Sequence, residues 1–235
     1  MSALSDEEQL NSLKNNTKKY GSTVLSGVLI ALIAYSGWTY WQNKQAAEAQ
    51  LETAKVQQLI DQAQSMDVKD NTAWNNLTKT ADEIVKTYPD SAQAIQTQFM
   101  LAKIAFERGD YAAAEKALKK VENSKVDDEG LMHTLKLRLA YTQLAQNKFD
   151  EALKNLATVT DPAFKATADE ARGDVYVAKN DIENAKKAYM SAWDALLERQ
   201  QERQILQIKL ESVGVLVDDP EIERPVLETK MDDAQ

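Results

Sequence analysis

Three ten-residue segments of this chain lie over one another position by position: GDYAAAEKAL from Gly109, NKFDEALKNL from Asn147 and NDIENAKKAY from Asn180. Each opens on a residue that tolerates left-handed backbone, which the stop of a helix requires. Tyr111, Phe149 and Ile182 then start the next helix with a bulky apolar group. Ala114, Ala152 and Ala185 follow three residues later, and Leu118, Leu156 and Tyr189 come a further turn on. Twelve residues upstream of those alanines stand Ala102, Ala140 and Gly173, small residues in the middle of the preceding helix. Small positions on both helices let the two backbones cross closely, so the pattern prescribes helical hairpins that stack.

The units are spaced by 38 and 33 residues, near the period of about 34 that marks tetratricopeptide helix-turn-helix repeats. Seven glycines and four prolines in 235 residues leave little helix-breaking chemistry, so the expected fold class is all-α with an α-solenoid body. Apolar residues recur at helical spacing at Val56, Leu59, Ile60 and Ala63, then at Trp74, Leu77, Ala81, Ile84, Val85 and Tyr88, and that helix is expected to end at Tyr88-Pro89-Asp90. Residues 44–90 read as membrane-proximal helices, either a degenerate first unit or a pair of caps. The repeat domain is placed at 91–211, closed by a last helix or pair carrying Trp193, Leu196, Leu197, Ile205 and Ile208. Residues 212–235 hold Pro220, Pro225 and an acidic run, and read as an extended tail, with Val213 to Val217 open to a short strand or a partner-binding segment.

No charge falls between Lys19 and Lys44. As a helix, the charge-free run 20–43 reaches roughly 36 Å, enough for one crossing of a hydrocarbon core of about 30 Å. A signal peptide cleaved after the small-residue triplet Ala34-Tyr35-Ser36 is the alternative. Tyr35, Trp38, Tyr40 and Trp41 read instead as an interfacial aromatic belt that retains the helix. Lys14, Lys18 and Lys19 before the span, against Lys44, Glu48 and Glu52 after it, place residues 1–19 in the cytoplasm and the remainder in the periplasm, with the chain held in a bacterial inner membrane. Gly27, Ala31 and Ala34 form one small-residue face where a second membrane helix would pack.

The formal net charge is -9, and residues 1–44 contribute positively to it, so the body beyond is more acidic still. Such a body repels phosphate backbones, and nucleic-acid binding is not expected. No cysteine is present to serve as nucleophile, disulfide or thiolate ligand, and His133 is the sole histidine. No phosphate loop, Ser/His/Asp set or carboxylate pair in a cleft is discernible, so the chain is expected to be no enzyme, with neither cofactor nor metal nor small-molecule substrate. Arg172-Gly173-Asp174 spells an adhesion tripeptide but falls at a repeat's small position inside a helix. Asp127, Asp128 and Glu129 read as a solvated loop. Stacked hairpins expose a face built from their first helices, and Gln96, Lys103, Tyr141, Glu170 and Asp174 are expected to point towards partners there.

The lysines before the span, Gly37-Trp38-Thr39-Tyr40-Trp41 at its end, Leu137-Arg138-Leu139-Ala140, Phe149-Asp150-Glu151-Ala152-Leu153 and the stretch Asp169 to Asp174 follow one another in a characteristic order. In that order and spacing they resemble the ancillary SecYEG translocon subunit family, also called the YfgM family, from about Lys18 to Val213. The resemblance implies one transmembrane helix, a periplasmic tetratricopeptide-like domain, and association with SecYEG and the periplasmic chaperone PpiD at the exit of the Sec channel. A family tail would be short, and the residues after Val213 depart from that ending. A reading of a different class is a structural scaffold subunit of an envelope assembly, with the repeats set between identical copies.

Overall fold

The computed structural model of the chain describes residues 6–67, 69–199, 201 and 204–217, with side chains from residue 25 onward. Nine α-helices lie among the described residues: α1 (Asp6–Ser65), α2 (Asn71–Thr87), α3 (Ala92–Glu107), α4 (Tyr111–Lys119), α5 (Glu129–Ala145), α6 (Phe149–Ala157), α7 (Lys165–Ala178), α8 (Ile182–Glu198) and α9 (Gln204–Ser212). They divide into two compact units, one up to Gln58 and one from Leu59 onward.

The first unit holds most of α1, which continues to Ser65 without a break at residue 44. The sequence offers no reason to stop it, since neither glycine nor proline occurs between Gly37 and Pro89. The separation of a span at 20–43 from helices beginning at 44 therefore coincides with no element boundary. Among the described residues no helix is long and apolar enough to cross a membrane. The expected span begins at residue 20, and residues 20–24 lie outside the described side chains. Gly27, Ala31 and Ala34 are exposed on α1, and a Cβ at Gly27 would meet nothing within 4 Å.

In the second unit α3 packs on α4, α5 on α6 and α7 on α8, while α4 meets α5 and α6 meets α7. Each hairpin turn is built in the same way. Gly109, Asn147 and Asn180 take φ of 76°, 58° and 60°, the left-handed conformation that a two-bond helix stop requires. The N–H of each donates to the carbonyl three residues back (Phe106, Leu144 and Val177), and the N–H of the following residue reaches five back, to Ala105, Gln143 and Tyr176, at 2.8–2.9 Å. That following residue is also the N-cap of the next helix. Asp110 and Asp181 accept there from Ala113 N and Asn184 N, whereas Lys148 makes no side-chain cap. The turn thus needs only three residues between the helices, and the second helices begin at the apolar positions Tyr111, Phe149 and Ile182.

The small positions interlock as the repeat pattern demands. Ala102, Ala140 and Gly173 lie buried in the first helices, and Ala114, Ala152 and Ala185 in the second, with Leu118, Leu156 and Tyr189 filling the space beside them. Gly173 carries the largest partner: a Cβ there would fall inside the Tyr189 ring at Cδ1 and Cε1. Ala140 is 1% exposed in the cluster that holds Ala152, Leu156 and Ala171. Replacing it by leucine forces three extra carbons into a dry contact, and thermal denaturation of the Ala140→Leu chain is expected to register a loss of about 1–3 kcal/mol. An unchanged melting temperature would show that the helices do not cross at that residue.

The body also extends beyond the limit expected at residue 211. After α9, Gly214 at φ 83° stops the helix, with Gly214 N donating to Glu211 O at 3.0 Å and Val215 N to Leu210 O at 2.9 Å. Val213 and Val217 then turn back into the cluster of Tyr189, Trp193, Leu206 and Leu210. They form no strand and close the end of the stack. The rest of the expected tail, residues 218–235, lies outside the described residues.

Candidate protein-binding face

The first helices of the hairpins, α3, α5 and α7, contact one another in sequence and form a continuous row. Between α3 and α5 lies a groove of about 250 Å³, floored by Ala102 and Leu118 and walled by Lys103, Phe106, Arg138 and Tyr141. Phe106 and Tyr141 keep 40% and 36% of their surface exposed, a large share for aromatic side chains in a packed body. Phe106 is held at its outer edge by Tyr111, ring centroids 4.8 Å apart. Lys103 pairs along its own helix with Glu107 at 3.7 Å. Arg138 lies over the ring of Phe99, 4.5 Å from its centroid, and is exposed.

Of the five residues expected on this face, Lys103 and Tyr141 come together in the groove. Gln96 is exposed on α3 but lines none of it. Glu170 and Asp174 are on α7 as expected, yet both are engaged from within. Lys209 of α9 donates to Glu170 at 2.7 Å and to Asp174 at 2.8 Å, and the Tyr189 hydroxyl donates to Asp174 at 2.8 Å. Burial, reinforced by those two carboxylates, pushes the Tyr141 hydroxyl well above its ordinary range, so it is a donor at any physiological pH. Phe99 and Phe106 were not named from the sequence, and Arg138 entered only within the motif Leu137-Arg138-Leu139-Ala140, not as a residue of this face. The available signal was Arg138 itself, a cation set among the apolar residues of Leu137-Arg138-Leu139-Ala140.

A family model for a tetratricopeptide repeat-like domain matches residues 14–215. The chain belongs to that family. It is 28% identical over 211 residues to the "Ancillary SecYEG translocon subunit" of Neisseria gonorrhoeae, covering 89% of this chain and 98% of the relative. A protein of the same name from Haemophilus influenzae is 28% identical over 211 residues, 90% of this chain and 98% of the relative. The one from Escherichia coli is 26% identical over 195 residues, 81% and 86% of the two chains.

Adjacent repeats of the domain are tied by a buried polar clasp between α4 and the C-terminal end of α5. Glu115 of α4 has only 5% of its side chain exposed and accepts from Lys119 at 2.7 Å and Lys148 at 2.6 Å. Gln146 and Gln143 add bonds at 3.0 and 3.2 Å. Burial by itself raises the Glu115 pKa, but the four donors outweigh it and hold the carboxyl at about 2. Lys148, whose ammonium carries only donors and so cannot cap a helix N-terminus, reaches back to the preceding repeat. Asp169 of α7 makes a second such centre, bonded to Lys165 at 2.6 Å, to Ser191 at 2.7 Å and to Arg172, and its pKa is likewise lowered against the effect of burial.

Arg172 also donates to the carbonyl of Leu156 at 2.7 Å, closing the end of α6. The tripeptide Arg172-Gly173-Asp174 is therefore spent on packing. Asp128 caps α5 by accepting from Leu131 N at 2.8 Å. His133 lies in α5 with its ring centroid 5.5 Å from that of Phe164. Among the described residues no three metal-type side chains gather.

Proposed function

We propose that the chain is a membrane-anchored adaptor of the Sec translocon, crossing the inner membrane once near residues 20–43 and offering its repeat body to protein partners in the periplasm. The observation that carries the reading is α1, whose apolar side chains from Leu25 to Trp41 are exposed on every side, with Ile33 at 71% and Tyr40 at 73%. A helix apolar all round needs a non-aqueous neighbour. Residues 25–41 alone are short for a bilayer; the proposal rests on the whole charge-free run from residue 20, with lysines on its cytoplasmic side and the tilted Trp38–Trp41 pair, 5.5 Å apart, at its far end. Relatives spanning most of this chain carry the name of an ancillary SecYEG subunit, and repeat stacks of this kind bind proteins rather than transform substrates. Within this reading SecYEG is the membrane partner and a periplasmic chaperone such as PpiD the soluble one.

The full chain, solubilised in mild detergent at native abundance, is expected to bring down SecYEG together with a periplasmic chaperone. Its body exported without residues 20–43 keeps the chaperone and loses the translocon, because the bilayer no longer concentrates the two. A reporter active only in the cytoplasm, fused after Gln235, stays silent. Recovery of nothing but further copies of the chain would favour the scaffold reading. A mature N-terminus near Ser36 would remove the anchor.

A further inference from the structure

We infer that the groove between α3 and α5 takes an extended polypeptide segment that carries a large apolar side chain next to a carboxylate. The inference rests on the protein-binding reading above and gives that binding a chemistry. At about 250 Å³ the groove has room for one such side chain and the backbone bearing it. Its floor is aliphatic and two half-exposed aromatic rings, Phe106 and Tyr141, stand in its walls, with Thr142 and the charged Lys103, Glu107 and Arg138 beside them, so its centre rewards an apolar side chain.

The charge at the rim selects what stands beside that side chain. Lys103 is compensated by Glu107. Arg138 has no carboxylate partner among the described residues, and the Phe99 ring covers one face of its guanidinium. A guanidinium held over a ring still has N–H donors to offer, and its planar fork suits a carboxylate met side-on. The repeat register shows that this arrangement is particular to the first groove. One repeat on, the position of Arg138 is held by Ala171, and the position of Tyr141 by Asp174, already bonded to Lys209 and Tyr189. A chain of net charge -9 repels acidic segments in general, so an unpaired cation beside an apolar slot marks where one would be accepted.

The test uses the full chain in nanodiscs, with empty discs as control, and three fluorescent ten-residue peptides in a glycine-serine background. One has a phenylalanine followed by an aspartate, one replaces the aspartate by asparagine, and one replaces the phenylalanine by alanine. The aspartate peptide is expected to bind about tenfold more tightly than its asparagine counterpart, the scale of a hydrogen bond to a charged group. Arg138→Gln should erase that preference without weakening the asparagine peptide, and Arg138→Lys should restore part of it. Phe106→Ala should weaken both phenylalanine peptides, with helical content unchanged in each variant. Equal binding of the aspartate and asparagine peptides, a preference that survives Arg138→Gln, or no peptide binding at all would overturn the inference. Co-purification of the Arg138→Gln chain with SecYEG at wild-type yield would leave the adaptor reading standing even then.

Discussion

Gly173→Ala is expected to lower the stability of the repeat body by about 3 kcal/mol, the upper part of the range for overpacked cores, although it puts a better helix former into the middle of α7. On propensity alone the change would be favourable by about 1 kcal/mol. The new Cβ, however, lands inside the Tyr189 ring, which is 3% exposed and cannot step aside. Its hydroxyl is bonded to Asp174, and its ring packs against Trp193, Leu206, Leu210 and Val213. In thermal denaturation of the full chain a loss of this size is a fall of roughly 6–12 °C.

The other two repeats supply the control. They place alanine and leucine where the third places glycine and tyrosine, each pair sixteen residues apart: Ala102 with Leu118, Ala140 with Leu156, Gly173 with Tyr189. Tyr189→Leu alone leaves a void and is destabilising. In the Tyr189→Leu background, though, Gly173→Ala should be neutral or stabilising, so that the double-mutant cycle shows a coupling of roughly 3 kcal/mol. A Gly173→Ala cost that is the same in both backgrounds would mean that the pair does not share one space.

The parts of the fold that follow from period and backbone chemistry were legible in the sequence. Gly109, Asn147 and Asn180 announced the left-handed stops, since few other residues accept positive φ, and the small residues twelve positions before each alanine announced the crossings. What crosses between repeats was not legible. Nothing in the spacing says that Lys148 reaches Glu115, or that Lys209 of α9 returns to bond Glu170 and Asp174. These are contacts over 33 to 39 residues with no fixed register. Reading α7 as an open partner-facing surface therefore counted two carboxylates that α9 already occupies. The end of the body was legible in principle: an apolar residue on either side of Gly214 after a helical run is the pattern of a helix stop whose flanking valines pack inward.

The clasp at Glu115 makes the second large prediction, because it ties stability to pH with a definite sign. A carboxyl held at about 2 in the folded chain and near 4.3 when unfolded binds its proton more readily in the unfolded state. Its contribution is therefore complete above pH 4.3 and is lost as the pH falls through about 2. The shift corresponds to about 3 kcal/mol. Lys119 and Lys148 are 48% and 40% exposed, so solvent screening reduces the expected contribution to about 2 kcal/mol. Chemical denaturation of Glu115→Gln at pH 7 should show that deficit. The same comparison repeated towards pH 2 should show most of the deficit gone, since the wild-type carboxyl is by then about half protonated in the folded chain and fully so in the unfolded one. Asp169, shifted in the same direction, supplies acid sensitivity that the Glu115→Gln chain retains. A deficit that is constant from pH 7 to pH 2 would assign the loss to packing rather than charge, and one that grows on acidification would contradict the clasp itself.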